Sequence, residues 1–320
     1  MSASPRRRVY ALRRSYTGED AQAAKAGVGR GKAGLVQFNS QQRRFRALLA
    51  LSLLNYDSGG HQHPTVSVYN ASTFLTYSMI VSPRFDKLVF IVPSATENTV
   101  GRLLAAPGYP ENGVPGLRVA ATGKAAGKAF GQCFHLLHLP TGARAVITAS
   151  SNFDALSGPG GEVVDDYPGP ETPLADVERD ALSGVPAMTD EIETMVAALV
   201  SYLNIRDPQG RWATGMWSWD PLKRAERGGL AGSTERFSRL WGAGRAWELS
   251  WNGYPYPEDL LACFTSPLVG IPGVSVVHEA DRWQIRLGSS SLRLSYGGIC
   301  PRAHQRKILH ETLNARGHGS

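Results

Sequence analysis

Two segments of the chain carry apolar residues at helical spacing. In residues 41–56, Leu48, Leu49, Leu51, Leu53 and Leu54 follow Arg43, Arg44 and Arg46, and the run stops at Asp57-Ser58-Gly59-Gly60. In residues 189–203, Ile192, Met195, Val196, Leu199, Val200 and Leu203 share one helical face. Thr189 stands at the N-cap position, and Asp190, Glu191 and Glu193 fill the first turn, where negative charge suits the helix dipole. Elsewhere the pattern shortens to runs of β-branched and aromatic residues. Strands are predicted at 65–69, 73–81, 87–92, 117–121, 132–139, 143–149, 246–251, 274–278, 283–287 and 291–296. The 132–139 run does not alternate, as expected of a strand buried on both faces. Pro140-Thr141-Gly142 and the Gly-Ser stretch at 288–291 read as tight turns. Residues 303–314 read as a basic helix (His304, Arg306, Lys307, His310) before a mobile tail. No internal repeat is visible.

Two stretches break this texture. Residues 157–186 form a Gly/Pro-rich loop with acids at Glu162, Asp165, Asp166 and Glu171, either a solvated loop or a site for a hard cation such as calcium. Residues 211–251 hold six of the seven tryptophans, which suit core packing, with stacking on nucleic acid as the alternative.

The chain is 320 residues long and 42% hydrophobic, enough for a core in one large domain or two modest ones. The longest apolar stretch, Ala47–Leu54, is too short for a membrane span. Cys133, Cys263 and Cys300 are too few and too scattered for a disulfide framework, so a reducing compartment is expected. Charge changes the picture most. Eleven basic residues lie in the first 46: Arg6, Arg7, Arg8, Arg13, Arg14, Lys25, Arg30, Lys32, Arg43, Arg44 and Arg46. Against them stand only Glu19 and Asp20, so this segment carries +9 in a chain whose net charge is +7. A cationic arm on a nearly neutral body calls for a polyanion. Its apolar residues are mostly alanine, which predicts a disordered arm, with Tyr10 and Tyr16 placed to stack on bases. A solubilising tail or an organellar presequence are the competing readings.

Chemical motifs are incomplete. Residues 26–32 imitate a phosphate loop, but Ala26 and Ala33 stand where Gly and a hydroxyl are required. Cys133 and His135 share a strand face while His138 points to the other, and no fourth ligand completes a zinc site. No catalytic residue, metal or cofactor is therefore expected. The Ser151-Asn152 pair after a strand resembles the end of the phospholipase D motif, although no His-x-Lys precedes it. That resemblance implies a degenerate phosphodiesterase around His135, His138, Ser151 and Asn152.

A second resemblance rests on residues 106–110 (Ala-Pro-Gly-Tyr-Pro), 116–124 (Gly-Leu-Arg-Val-Ala-Ala-Thr-Gly-Lys) and 129–140, together with the Arg-rich arm. These resemble the coat proteins of small icosahedral positive-strand RNA viruses of the nodavirus and tombusvirus sort. The resemblance implies a mainly β fold, a jelly-roll sandwich. It implies a disordered RNA-binding arm at 1–40, a shell domain at 41–302 with a helical and Trp-rich insertion near 189–251, and a basic helix and tail at 303–320. The partners would be RNA, bound without sequence preference, and many copies of the chain itself, in the virion and in host cytoplasm during assembly. A non-viral nucleic-acid-binding protein is the alternative.

Overall fold

A computed structural model describes residues 5–28, 34–55, 71, 74, 80–92, 96–104, 113–124, 132–151, 153, 167–215, 237–279 and 282–298. Helices α1 (Pro5–Thr17), α2 (Ala21–Gly27) and α3 (Ser40–Leu53) lead into strands β1 (Ile80–Pro83) and β2 (Lys87–Ile91). The short helix α4 (Thr96–Val100) precedes β3 (Leu117–Lys124), β4 (Gln132–His138) and β5 (Ala143–Thr148). Helices α5 (Asp176–Ser183) and α6 (Asp190–Ser201) follow, then β6 (Ser238–Ala243) and β7 (Ala246–Trp251). Last come α7 (Pro257–Thr265), β8 (Ser275–Glu279), β9 (Arg282–Leu287) and β10 (Ser290–Tyr296).

The strands form two five-stranded sheets with the orders β1-β2-β5-β4-β3 and β6-β7-β10-β9-β8. Their pairing senses agree strand for strand. The first two strands are antiparallel, the second and fifth are parallel, and the remaining pairs are antiparallel. Each sheet is also preceded by a long helix, α3 or α6, and interrupted by a shorter one, α4 or α7. Among the described residues each sheet thus follows one order, helix, two strands, helix, three strands, a repetition that no internal repeat in the sequence announces.

The leading helices tie the halves together. α3 packs on α6, α3 also meets β5 and β6, and α6 meets β10, β9 and β1. One apolar core runs through both units, with Phe45, Leu49 and Leu51 from α3, Ile192, Val196 and Leu199 from α6, and Phe90, Phe134, Leu249 and Leu292 from the sheets. The helix starts follow from their caps. The Asn39 side chain accepts from the Gln42 amide, and the Thr189 hydroxyl accepts from that of Ile192. Gly142 closes the β4–β5 turn at φ 67°, a conformation costly for any residue with a Cβ.

Most predicted elements recur at nearly the predicted bounds, but the architecture differs from the expected one. The fold is mixed α/β rather than mainly β, and the parallel pair in each sheet departs from the all-antiparallel jelly roll. The supposed insertion near 189–251 holds α6, β6 and β7, which open the second unit. Its tryptophans Trp212, Trp247 and Trp251 are buried, Trp247 and Trp251 on the core face of the second sheet and Trp212 beside Tyr16 of α1. Of the arm at 1–40, the described residues 5–28 are folded rather than a disordered tail. α1 and α2 lie against the first sheet, where Ala23 packs with Val89, Ile91, Cys133 and Val146. The small Ala23 side chain lets the α2 backbone approach the strands, so part of the composition that suggested disorder is contact surface. The strand at 65–69, the calcium candidates Glu162, Asp165 and Asp166, and the 303–320 helix and tail lie outside the described residues.

Candidate nucleic-acid interface

The eleven basic residues of the amino-terminal segment divide into groups with different environments. Arg6, Arg7, Arg8, Arg14 and Lys25 are exposed on α1 and α2. Arg30 and Lys32 lie outside the described residues. Arg43 pairs with Asp190 and Glu193, and Arg44 with Glu193, so these two join α3 to the acidic start of α6.

Arg13 and Arg46 are fully buried, which corrects their expected place on an RNA-binding surface. The Arg13 guanidinium donates to both Glu19 carboxylate oxygens at 2.6 and 2.7 Å, to the Gly27 carbonyl at 2.6 Å and to the Pro83 carbonyl at 2.7 Å. A Cβ on Gly27 would come within 2.2 Å of that guanidinium, so only glycine admits it. Arg46 reaches up from α3 to the carbonyls of Arg84 (2.6 Å) and Lys87 (3.0 Å), with Gln42 and Ser201 as further acceptors. Burial, with Arg13 nearby, pushes the Arg46 pKa down to about 9. Both buried arginines therefore brace one feature, the β1–β2 hairpin turn Pro83-Arg84-Phe85-Asp86-Lys87. The Phe85 carbonyl is held as well, by the Asn39 amide.

That turn forms one wall of a cleft of about 410 Å³ between α2 and the outer face of the first sheet. Arg84, Lys87 and Arg144 all line it. Strand register explains the last two. Lys87 on β2 stands directly opposite Arg144 on β5, so two like charges are neighbours on one face. Such a pair is destabilising by itself. At the equivalent place in the second sheet Ala246 faces Ser291, so only one of the two duplicated units carries the cations. Lys87 has a distant, exposed partner in Asp86 at 3.9 Å, and Arg144 makes no ion pair among the described residues.

Arg84 is only 9% exposed, and its Nε is buried without a hydrogen-bond partner among the described residues. Burial lowers its pKa, an effect that nearby Glu19 partly offsets. Its guanidinium lies over the Phe153 ring, 5.5 Å from the centroid. The edge of the same ring system meets His135 at 6.1 Å. Ser151 and His135 add polar groups to the lining, Gln22 and Ala26 form the α2 side, and among the described residues no carboxylate lines the cleft. Ala120, the unpaired residue at a bulge in edge strand β3, opens that side. Between the lining residues Arg84 and Lys87 in sequence, Phe85 is 61% exposed, the most exposed large hydrophobic side chain among the described residues.

The phosphodiesterase candidates separate. His135 and Ser151 line the cleft, but His138 is fully buried on the other face of β4. Its Nδ1 lies 2.9 Å from the Thr141 hydroxyl and its Nε2 3.0 Å from the Pro115 carbonyl, and burial pushes its pKa down to about 4. One ring nitrogen serves the β4–β5 turn and the other the segment that leads into β3, and the two histidines do not face one phosphate. Asn152 lies outside the described residues. Among the described residues no three His, Cys, Asp or Glu side chains are grouped to hold a metal, and no helix is long and apolar enough to cross a membrane.

Sequence reading missed Arg84, Lys87 and Arg144. The first two sit either side of a solvent-facing aromatic after a Pro, a local hint. Arg144 joins them only through the β2–β5 pairing. No known protein family, curated protein or solved structure matches this chain.

Proposed function

We propose that the protein binds RNA by its phosphate backbone, without reading sequence. The observation that carries this reading is the cleft, where Arg84, Lys87 and Arg144 converge beside Phe153, near the exposed Phe85, with no lining carboxylate among the described residues. Cations hold phosphates and aromatic faces hold bases of any identity, the combination typical of single-strand binding. The exposed Arg6, Arg7, Arg8, Arg14 and Lys25 on α1 and α2 extend the positive surface beyond the cleft. The arm thus contributes as a docked pair of helices.

A second reading is a shell protein that assembles around RNA in a virion. It is favoured by the exposed arginines of α1, and its sandwich would be a variant with one parallel pair per sheet.

Fluorescence anisotropy of a labelled 12-nucleotide RNA between 50 and 200 mM salt tests the first reading. Each phosphate contact contributes about 0.7 to the slope of log affinity against log salt for single strands. The Lys87→Ala/Arg144→Ala double variant is expected to lower the slope by about 1.4. An unchanged slope would remove the cleft from the interface. Sedimentation of the same complexes separates the two readings: a simple binder stays small, and a shell protein sediments as megadalton particles.

A further inference from the structure

The cleft is more closed than a track for a polymer needs to be. Gln22 and Ala26, one turn apart on α2, cover one side, and the braced β1–β2 turn closes another. Its 410 Å³ sits at the lower end of the roughly 300–1,000 Å³ range of small-molecule sites. Its chemistry is divided. The Lys87–Arg144 row and Arg84 supply positive charge, whereas Ala145, Val146 and the Phe153 ring supply apolar surface. The second unit has the same strands and no counterpart of the cationic pair, because its equivalent positions are Ala246 and Ser291. Repeating the fold does not require these charges, and their mutual repulsion opposes it. A bound anion would remove that repulsion and give the buried Arg84 Nε an acceptor.

We infer that the cleft is a one-nucleotide site for a nucleoside monophosphate group, with the phosphate on Arg84, Lys87 and Arg144 and the base against Phe153. This rests on the reading that this face takes nucleic-acid phosphate. The same chemistry has two sources, a free mononucleotide and the 5′-phosphorylated end of an RNA strand. A terminal phosphate carries more negative charge than an internal diester, and the three cations match it better. Arg84, whose planar fork is held by Phe153, provides the geometric selection, and the two surface cations provide attraction.

The test compares 12-nucleotide RNAs with a 5′-phosphate or a 5′-hydroxyl, with AMP, adenosine and inorganic phosphate as competitors, on the full chain. The 5′-phosphate RNA is expected to bind about tenfold tighter, and AMP but not adenosine to displace it. Arg144→Ala, at an exposed position, should reduce the preference, and Arg84→Gln should reduce it to within about twofold. Phe153→Leu should weaken AMP and leave inorganic phosphate unchanged, a split that a loss of folding would not produce. AMP binding without RNA binding would sustain the one-nucleotide site and overturn the polymer reading. Equal binding of both RNAs without AMP competition would overturn the one-nucleotide site and leave RNA binding standing. Failure of every ligand to bind would overturn both.

Discussion

Replacing Arg13 with alanine tests whether the arm is a docked part of the fold. Arg13 and Glu19 have side chains wholly shielded from water and share two hydrogen bonds. Arg13→Ala leaves the Glu19 carboxylate buried without its cation and removes the donor from the Gly27 and Pro83 carbonyls. Removing one partner of a buried pair costs about 3–5 kcal/mol. The loss falls on the contact between α1–α2 and the first sheet, so it emerges as local opening rather than global unfolding. It corresponds to roughly 10² to 5 × 10³ in the opening equilibrium. Hydrogen exchange of the amides in α1 and α2 reads that factor directly. Their protection is expected to fall by at least the lower figure, with the α6 amides unchanged. Arg13→Met combined with Glu19→Leu should recover most of the loss, because no unpaired charge stays buried. A change of less than tenfold in Arg13→Ala would refute the role of the Arg13–Glu19 pair in docking the arm. Wild-type exchange at the rate of an unfolded peptide would restore the disordered arm.

Three further outcomes follow from the same geometry. His138 has a folded pKa of about 4 against about 6.5 unfolded, so the unfolded chain binds more protons between those values. Stability should therefore fall by about 3 kcal/mol as pH drops from 6.5 to 4. His138→Gln should flatten that limb in urea melts at pH 7 and pH 4.5, and an unaltered limb would assign acid sensitivity to other groups. Arg144→Glu replaces a like-charge neighbour of Lys87 with an opposite one, so it should raise stability by about 0.2–1 kcal/mol while abolishing RNA binding. Loss of both together would count against a binding role for that row. Gly116 has φ 77°, and a Cβ there would lie 2.6 Å from Pro140 Cδ. Gly116→Ala should cost about 1–3 kcal/mol in the same melts, and a neutral result would mean that the β4–β5 turn yields easily.

The elements were legible in sequence where their signal is local. Thr189 followed by three acids and an apolar face marked α6, and the β-branched run of 87–92 marked β2. The same reasoning failed at α1 and α2. Alanine-rich, arginine-rich sequence reads as disorder when the only partners considered are neighbours in the chain. Ala23 is ordered by contact with Val89 and Val146 on distant strands. Counting charge correctly found a cationic protein but not the binding residues. Arg13 and Arg46 brace a hairpin from within, and the cations that face the cleft are Arg84, Lys87 and Arg144.

By itself the sequence determined the basic excess, the two amphipathic helices, most of the strands and their turns. Each of these depends on spacing within a few residues. Only the tertiary structure decided that the strands form two sheets of one topology, and that the arm folds onto the first of them. It also decided that the cleft belongs to one half of the duplication. The physical reason lies in β pairing. Parallel alignment of β2 with β5 brings Lys87 beside Arg144 from far apart in the chain, and the same alignment of β7 with β10 brings together Ala246 and Ser291. Two sheets of the same topology thereby carry opposite prospects for binding an anion, a difference set by side chains whose meeting no local pattern records.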